Sequence, residues 1–160
     1  MNITDIRPLS RADKTAVMMI LRSTPEFLPR EIVVAEELID AFLSDGIDSG
    51  YHILVSLTDG KISGYVCYGE TPMTEGTWDI YWIAVDQTLQ GKGIGAALMK
   101  AAENKIKELH GRLAVIETSS KPEYNKTRRF HASQGYVEVA NIPDFYEVND
   151  SKVIMVKRLV

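Results

Sequence analysis

The stretch from Thr77 to Lys100, TWDIYWIAVDQTLQGKGIGAALMK, restricts the fold more than any other part of this chain. Aromatic and β-branched residues in TWDIYWIAV predict a strand. After a five-residue turn, three glycines and a lysine fall within Gly91 to Gly95, and helix-forming composition follows. The mostly apolar RLAVIET comes next and predicts another strand, buried on both faces. A strand–helix–strand unit must join parallel strands through a right-handed crossover. Directly before it, however, YHILVSL-TDG-KISGYVCYG reads as an antiparallel hairpin, because Asp59-Gly60 suits a type I′ turn between two β-rich runs. Hairpin and crossover in succession imply a mixed sheet and exclude a uniformly doubly wound one.

The remaining segments fit around that unit. ITDIRPL predicts a short first strand, and Ser10 with Asp13 forms a capping pattern before the helix KTAVMMILR. PREIVVAEELIDAFLSDG predicts a second amphipathic helix, with Pro29 at its start and Gly46 after its end. The helix that opens near Gly93 runs to about His110, with Ile94, Leu98, Ala102, Ile106 and Leu109 as its buried stripe. Ser120 and Glu123 are expected to box the start of the helix KPEYNKTRRFHASQ, which Gly135 stops. YVEVANI and SKVIMVKRLV predict two closing strands. The order is β-α-α-β-β-β-α-β-α-β-β: an α/β (α+β) chain with about seven strands and four helices, expected to form one domain over residues 1–160.

Composition narrows the function classes. No apolar run approaches the roughly 18 residues of a membrane span, and the first residues lack the apolar core of a secretory signal. A single cysteine, Cys67, fits a reducing compartment, so a cytoplasmic location is expected. No Cys/His cluster suggests a metal. A net charge of −4 argues against nucleic acid as the partner. Charge is distributed unevenly. Glu26, Glu31, Glu36, Glu37, Asp40, Asp45 and Asp48 are opposed only by Arg30 within their stretch, whereas Lys121, Lys126, Arg128 and Arg129 are opposed only by Glu123. The pattern suggests a cation-tolerant end and an anion-binding end.

A glycine-rich turn that opens a helix is an anion site, because unpaired N–H groups and the helix dipole point the same way. A P-loop would need Lys followed by Ser or Thr, but Lys92 is followed by Gly93. Gly91-x-Gly93-x-x-Ala96 formally satisfies a dinucleotide fingerprint, with Glu117 about 20 residues on; yet Asp86 to Gln90 separate the strand from the first glycine, and the preceding hairpin does not suit a mononucleotide-binding half. An NAD-dependent oxidoreductase is therefore a distant alternative. The third pattern is Gln90-x-x-Gly93-x-Gly95, of the form [QR]-x-x-G-x-[GA].

In this setting the pattern resembles the pyrophosphate loop of the GNAT N-acetyltransferase superfamily, whose element order matches across essentially the whole chain. YWIAVDQTLQGKGIGAALM is similar to its central motif, YNKTRRFHASQGY to its later helix, and IPDFYEVNDSKVIMVKRL to the C-terminal hairpin of a bacterial and archaeal branch. The resemblance implies acetyl-CoA as cosubstrate, no metal, and direct transfer to a primary amine in a ternary complex. Gln90 opens the motif. The amides of Gly91, Lys92, Gly93, Ile94, Gly95 and Ala96 would hold the pyrophosphate, as convergent backbone N–H groups can. The pantetheine arm would pair with Ile83, Ala84 and Val85, and Asn125 would meet the coenzyme from the later helix.

Transfer to an alkylammonium requires a base. By the resemblance Asp79, eleven residues before Gln90, is the candidate; it shares a strand face with Tyr81, and Glu117 and Glu70 are reserves. Where the family carries a tyrosine that donates to the departing thiolate, this chain has His131, with Tyr124 a substitute. The acceptor would enter between the first two helices and the last hairpin, near Glu26, Phe27, Glu31, Asp144, Phe145, Tyr146, Glu147 and Asp150. This is an acidic and aromatic setting that fits a cationic small-molecule or peptide amine, with a homodimer compatible. The rival from another class is a non-catalytic acyl-CoA-binding module that kept the cleft and lost its acid.

Overall fold

A computed structural model describes residues 3–160. In chain order it contains β1 (Ile3–Pro8), α1 (Lys14–Ser23), α2 (Pro29–Asp45), β2 (His52–Thr58), β3 (Lys61–Glu70), β4 (Thr77–Val85), α3 (Ile94–Glu108), β5 (Leu113–Ser119), α4 (Asn125–Ser133), β6 (Val137–Glu147) and β7 (Asp150–Arg158). The seven strands form one sheet in the order β1-β2-β3-β4-β5-β7-β6. Only β4 and β5 pair in parallel, as the crossover demands. The β2–β3 turn is of the expected primed type, with φ of 51° at Asp59 and 78° at Gly60.

Each face of the sheet has its own core. On one, Leu98, Met99, Ala102 and Ile106 of α3 pack on Val66, Trp78, Ile116 and Val153. On the other, Val17 and Leu21 of α1 and Ile39 of α2 cover Val55, Tyr65, Cys67 and Ala84. Several local expectations are corrected. Helix α3 ends at Glu108, and Leu109 beyond it is 51% exposed. The buried stripe instead takes in Glu103, whose carboxylate is satisfied by Lys157 Nζ at 2.8 and 3.0 Å and by the Tyr136 hydroxyl at 3.3 Å. Strand β5 is not buried on both faces: Ala114 and Ile116 are buried, Val115 is half-buried and Glu117 is exposed. The Ser120–Glu123 box does not form. A 3₁₀ turn at Pro122–Tyr124 precedes α4, the Ser119 hydroxyl accepts the Lys121 N–H at 3.0 Å, and the Ser120 hydroxyl accepts the Ser151 N–H at 2.8 Å. Those serines tie the end of β5 to the hairpin, and β6 continues through Glu147, well past Ile142.

Two irregularities of β4 shape the functional region. The β3–β4 register shifts between Cys67 and Tyr68, leaving Tyr81 as an extra residue. Such a bulge inverts the alternation of a strand. Before it Trp78 and Ile80 face α3; after it Ile83 and Val85 pack on that side, whereas Trp82 and Ala84 join the core under α1 and α2. In addition, β4 and β5 pair only from Thr77 to Asp79. Past Asp79 the two strands diverge and open a gap in the middle of the sheet.

Candidate functional site

The gap leads into a cleft of about 390 Å³ between the end of β4, the start of α3 and one side of α4. Its chemistry is mainly that of backbone. Asp86 N–H donates to the Ser63 carbonyl at 2.8 Å, so Asp86 and Ala84 direct their peptide groups toward β3. By the alternation of an antiparallel ladder, Ile83 and Val85 direct theirs into the gap. Gln90 Nε2 already reaches the Val85 carbonyl from that side, at 3.4 Å.

Beyond this edge comes the start of α3. Gly93 is its N-cap at φ 85°, and Gly91 sits at φ 77°. Both are conformations in which a side chain is strained. The first helical bond runs from Ala97 N–H to the Gly93 carbonyl at 3.0 Å. The N–H groups of Ile94, Gly95 and Ala96 therefore have no acceptor among the described residues, as at any helix start without a capping side chain. Gly95 is constrained by space: a Cβ there would lie 3.1 Å from Phe130 of α4. Three unpaired donors at the positive end of a helix, beside two open peptide edges, fit a ligand with one elongated amide arm and an anionic group.

The α4 wall presents Tyr124, Thr127, Phe130 and Gln134, a spacing of three, three and four that marks one helical face. Lys126 Nζ reaches across to Gln90 Oε1 at 2.8 Å. The Tyr124 hydroxyl spans to the α1–α2 loop and donates to the Glu26 carbonyl at 2.8 Å. Burial, then the charges of Glu31, Glu26 and Asp150, hold that hydroxyl well above the usual tyrosine pKa, so it stays protonated. Opposite, Phe27 and Trp82 meet edge to face at 5.6 Å.

Beyond Tyr124 the surroundings turn acidic. The Tyr146 hydroxyl, pushed up to about 12 by burial, feels Glu117, Asp150 and Glu31. Asp150 is buried and accepts the Ser119 hydroxyl. Glu117 is paired with Lys152 at 2.8 Å, and Lys152 lies 4.1 Å from the Phe145 ring centre. Farther along, at the vertex of the splay, half-buried Asp79 accepts the Thr71 hydroxyl at 2.8 Å. Burial raises its pKa above the usual carboxylate value; the Thr71 bond opposes that shift, and nearby Glu117 adds to it.

The sequence-predicted residues thus separate into groups. Ile83, Ala84, Val85, Gln90, Gly91, Gly93, Ile94, Gly95 and Ala96 all line the one cleft. Lys92 and Asn125 are exposed and outside its lining; Asn125 Oδ1 accepts from Arg128 instead. His131 is also outside the lining: it is 3% exposed, sits between Phe130 and Tyr136, and its Nδ1 has no partner. Burial pushes its pKa down to about 4, so the ring is neutral near pH 7. Asp79 belongs to the acidic side and is not in the cleft lining. Glu70 is exposed at the end of β3. Thr127, Phe130 and Gln134 went unread as cleft residues, although the helical spacing from Tyr124 would have found them.

A central sheet split between two parallel strands, with a glycine-opened helix beside the split, places the molecule in the acetyltransferase class of folds. The sequence profile of the Acetyltransferase (GNAT) family matches residues 17–136, and the chain belongs to that family. It is 38% identical to a Desulfovibrio desulfuricans protein assigned to the GNAT family, whose structure superposes with a TM-score of 0.94 over 98% of this chain and 99% of that one. An uncharacterized N-acetyltransferase of Methanocaldococcus jannaschii is 29% identical over 104 residues, which spans 65% of this chain and 64% of that relative. A Salmonella typhimurium protein solved with its cofactor acetyl-CoA shares the fold at 21% identity and a TM-score of 0.78, covering 99% of this chain and 95% of that one.

Proposed function

We propose that this protein is an N-acetyltransferase that moves an acetyl group from acetyl-CoA to a cationic primary amine by direct attack in a ternary complex. The observation that carries the reading is the continuity of the open peptide edges of Ile83 and Val85 with the unbonded N–H groups of Ile94, Gly95 and Ala96 in one cleft. Acetyl-CoA in the Salmonella neighbour supports it. The coenzyme supplies an activated thioester. Ile83 and Val85 would hold its amide arm, and the start of α3 its pyrophosphate.

The chain's own groups then meet the two proton demands of the reaction. An acceptor ammonium must lose a proton before its nitrogen can form the C–N bond. Asp79 is the carboxylate for that role, acting through a water, because Glu117 is engaged by Lys152. As the C–S bond breaks, the thiolate needs a donor. Tyr124 lines the cleft with a hydroxyl kept protonated, and it takes this role in place of the buried, neutral His131. Glu31, Asp150 and Glu26 around Tyr124 and Tyr146 favour a positively charged acceptor.

The burial of His131 is also the observation that favours the rival reading, a non-catalytic acyl-CoA-binding module; coenzyme release in the presence of an amine panel separates the two. The mostly antiparallel sheet around the loop argues against the NAD-binding alternative. The binding half is tested by thermal shift with acetyl-CoA, NAD and ATP on the wild type and on Ala96→Asp. At a hundredfold excess over Kd, acetyl-CoA adds about 2.7 kcal/mol, or several degrees in a chain of this length. An aspartate in the first turn of α3 suits the helix dipole and preserves the fold, but it repels a pyrophosphate, so the shift should disappear. An equal shift in the variant, or a shift with NAD alone, would sink the assignment.

A further inference from the structure

A second cavity, also about 390 Å³, lies along α3 on the far side of Ala96. It shares Ala96 and Gln134 with the coenzyme cleft, so the two are neighbours across the same helix start. Its polar lining is cationic: Lys100, Lys107 and Lys157 against the single carboxylate of Glu103, in a chain whose net charge is −4. Lys157 Nζ is held by both Glu103 oxygens, at 2.8 and 3.0 Å, and is 5.8 Å from the centre of the Tyr136 ring. Lys100 and Lys107 are exposed. Asn104 and Gln134 add neutral amide donors.

We propose that this groove receives the ribose 3′-phosphate of the coenzyme, so that the protein tells coenzyme A from its 3′-dephospho form. The inference rests on the acetyl-CoA reading above. If the pyrophosphate sits on the amides of Ile94 to Ala96, the ribose leaves beside Ala96, where the cationic groove begins. A helix rises 1.5 Å per residue, so Lys100 stands about 6 Å along the axis from Ala96, and helical side chains lean back toward the N-terminus. That puts its ammonium within reach of a phosphate one ribose away. Lys107 stands about 16 Å along by the same measure, too far for contact, and contributes through the field of the groove alone. Lys157 is neutralised by its pairing with Glu103 and forms the wall of the groove, so the contacting charge is that of Lys100.

The experiment is calorimetric binding of coenzyme A and of 3′-dephospho-coenzyme A to the wild type, Lys100→Ala and Lys107→Ala. The wild type should prefer coenzyme A by about tenfold, the scale of a charge-assisted contact. In Lys100→Ala that ratio should fall toward one, while Lys107→Ala should keep most of it and lose more of it at low salt than at high. Equal wild-type affinity for the two ligands would overturn the subsite and leave the coenzyme reading standing. A preference unchanged in Lys100→Ala would also overturn it. Binding of neither ligand would overturn the coenzyme reading and the subsite together. Inorganic phosphate is the remaining arm: stabilisation by phosphate that depends on Lys100, without any preference between the two coenzymes, would mean that the groove takes free phosphate, and would overturn its assignment to the coenzyme.

Discussion

The two halves of the functional region are built from different materials. The half proposed for the coenzyme consists largely of main chain: two open peptide edges, two glycines at positive φ and three unbonded N–H groups of α3. The half proposed for the acceptor consists of side chains brought from the α1–α2 loop, α2, β5 and the β6–β7 hairpin, including Glu26, Glu31, Glu117, Tyr146 and Asp150. A site of main chain tolerates many side-chain changes, because its donors are present whatever the residue. A site of side chains can change its ligand by substitution without disturbing the fold. The conserved chemistry of a common cosubstrate suits the first construction, and a variable acceptor suits the second.

That contrast can be broken most forcefully where the halves meet. Tyr124→Phe removes one hydroxyl and its bond to the Glu26 carbonyl, and kcat should fall by roughly 10²-fold or more, the usual span of a general acid, with Kd for acetyl-CoA nearly unchanged. Asp79→Asn should produce a loss of similar size and remove the acidic limb of the kcat/KM–pH profile, a limb expected above the usual carboxylate value because burial raises Asp79. Retained turnover in Tyr124→Phe, or a wild-type pH profile in Asp79→Asn, would return those residues to packing.

His131 sharpens the comparison, because it lies behind the coenzyme wall and belongs to neither half. Its folded pKa, about 4, lies below the ordinary 6.5. The neutral ring therefore contributes stability that is fully present above pH 6.5 and lost as pH falls through 4, on the order of 3 kcal/mol. His131→Phe should flatten the fall in Tm between pH 7 and pH 4.5 while leaving turnover at neutral pH largely intact. A variant that melts like the wild type at both pH values but loses its activity would restore the histidine to the chemistry. The smallest effect is expected at Glu31→Gln. Removing one charge from the acceptor half should raise KM for a cationic amine a few fold at low ionic strength, less at high salt, and leave acetyl-CoA affinity unaltered. A loss of coenzyme affinity there would mean that the two halves are not separable.

Much of this was legible beforehand for identifiable reasons. Gly91 and Gly93 announce an unusual backbone through composition alone, and Asp59-Gly60 announces its turn. Strand composition, turn and capping signals and hydrophobic periodicity together locate the four helices and seven strands of the described residues, because each is a local property of its own segment. The cleft lining is equally readable where it follows the main chain: Ile83 to Val85, Gln90, Gly91 and Gly93 to Ala96 fall in one short stretch, so one motif delivers most of a cleft. His131 lies one helical position off the cleft face. Residues 124, 127, 130 and 134 share the cleft face, and a shift of one residue turns a side chain by about 100° into the core. The capping residue before α4 was misjudged because Ser120 has a stronger partner, the Ser151 N–H, 31 residues away in sequence.

The sequence by itself determined the order of elements, the parallel crossover and the glycine-opened start of α3, since each follows from local propensity, chirality or the absence of a Cβ. Tertiary structure alone decided the rest. The bulge at Tyr81 reversed which residues of β4 face α3, and the divergence of β4 from β5 after Asp79 exposed their edges. The β6–β7 hairpin carried Tyr146 and Asp150 to the same place as Glu31. Those outcomes depend on register and on contacts between segments distant in sequence, and no local rule fixes a register until both strands are present.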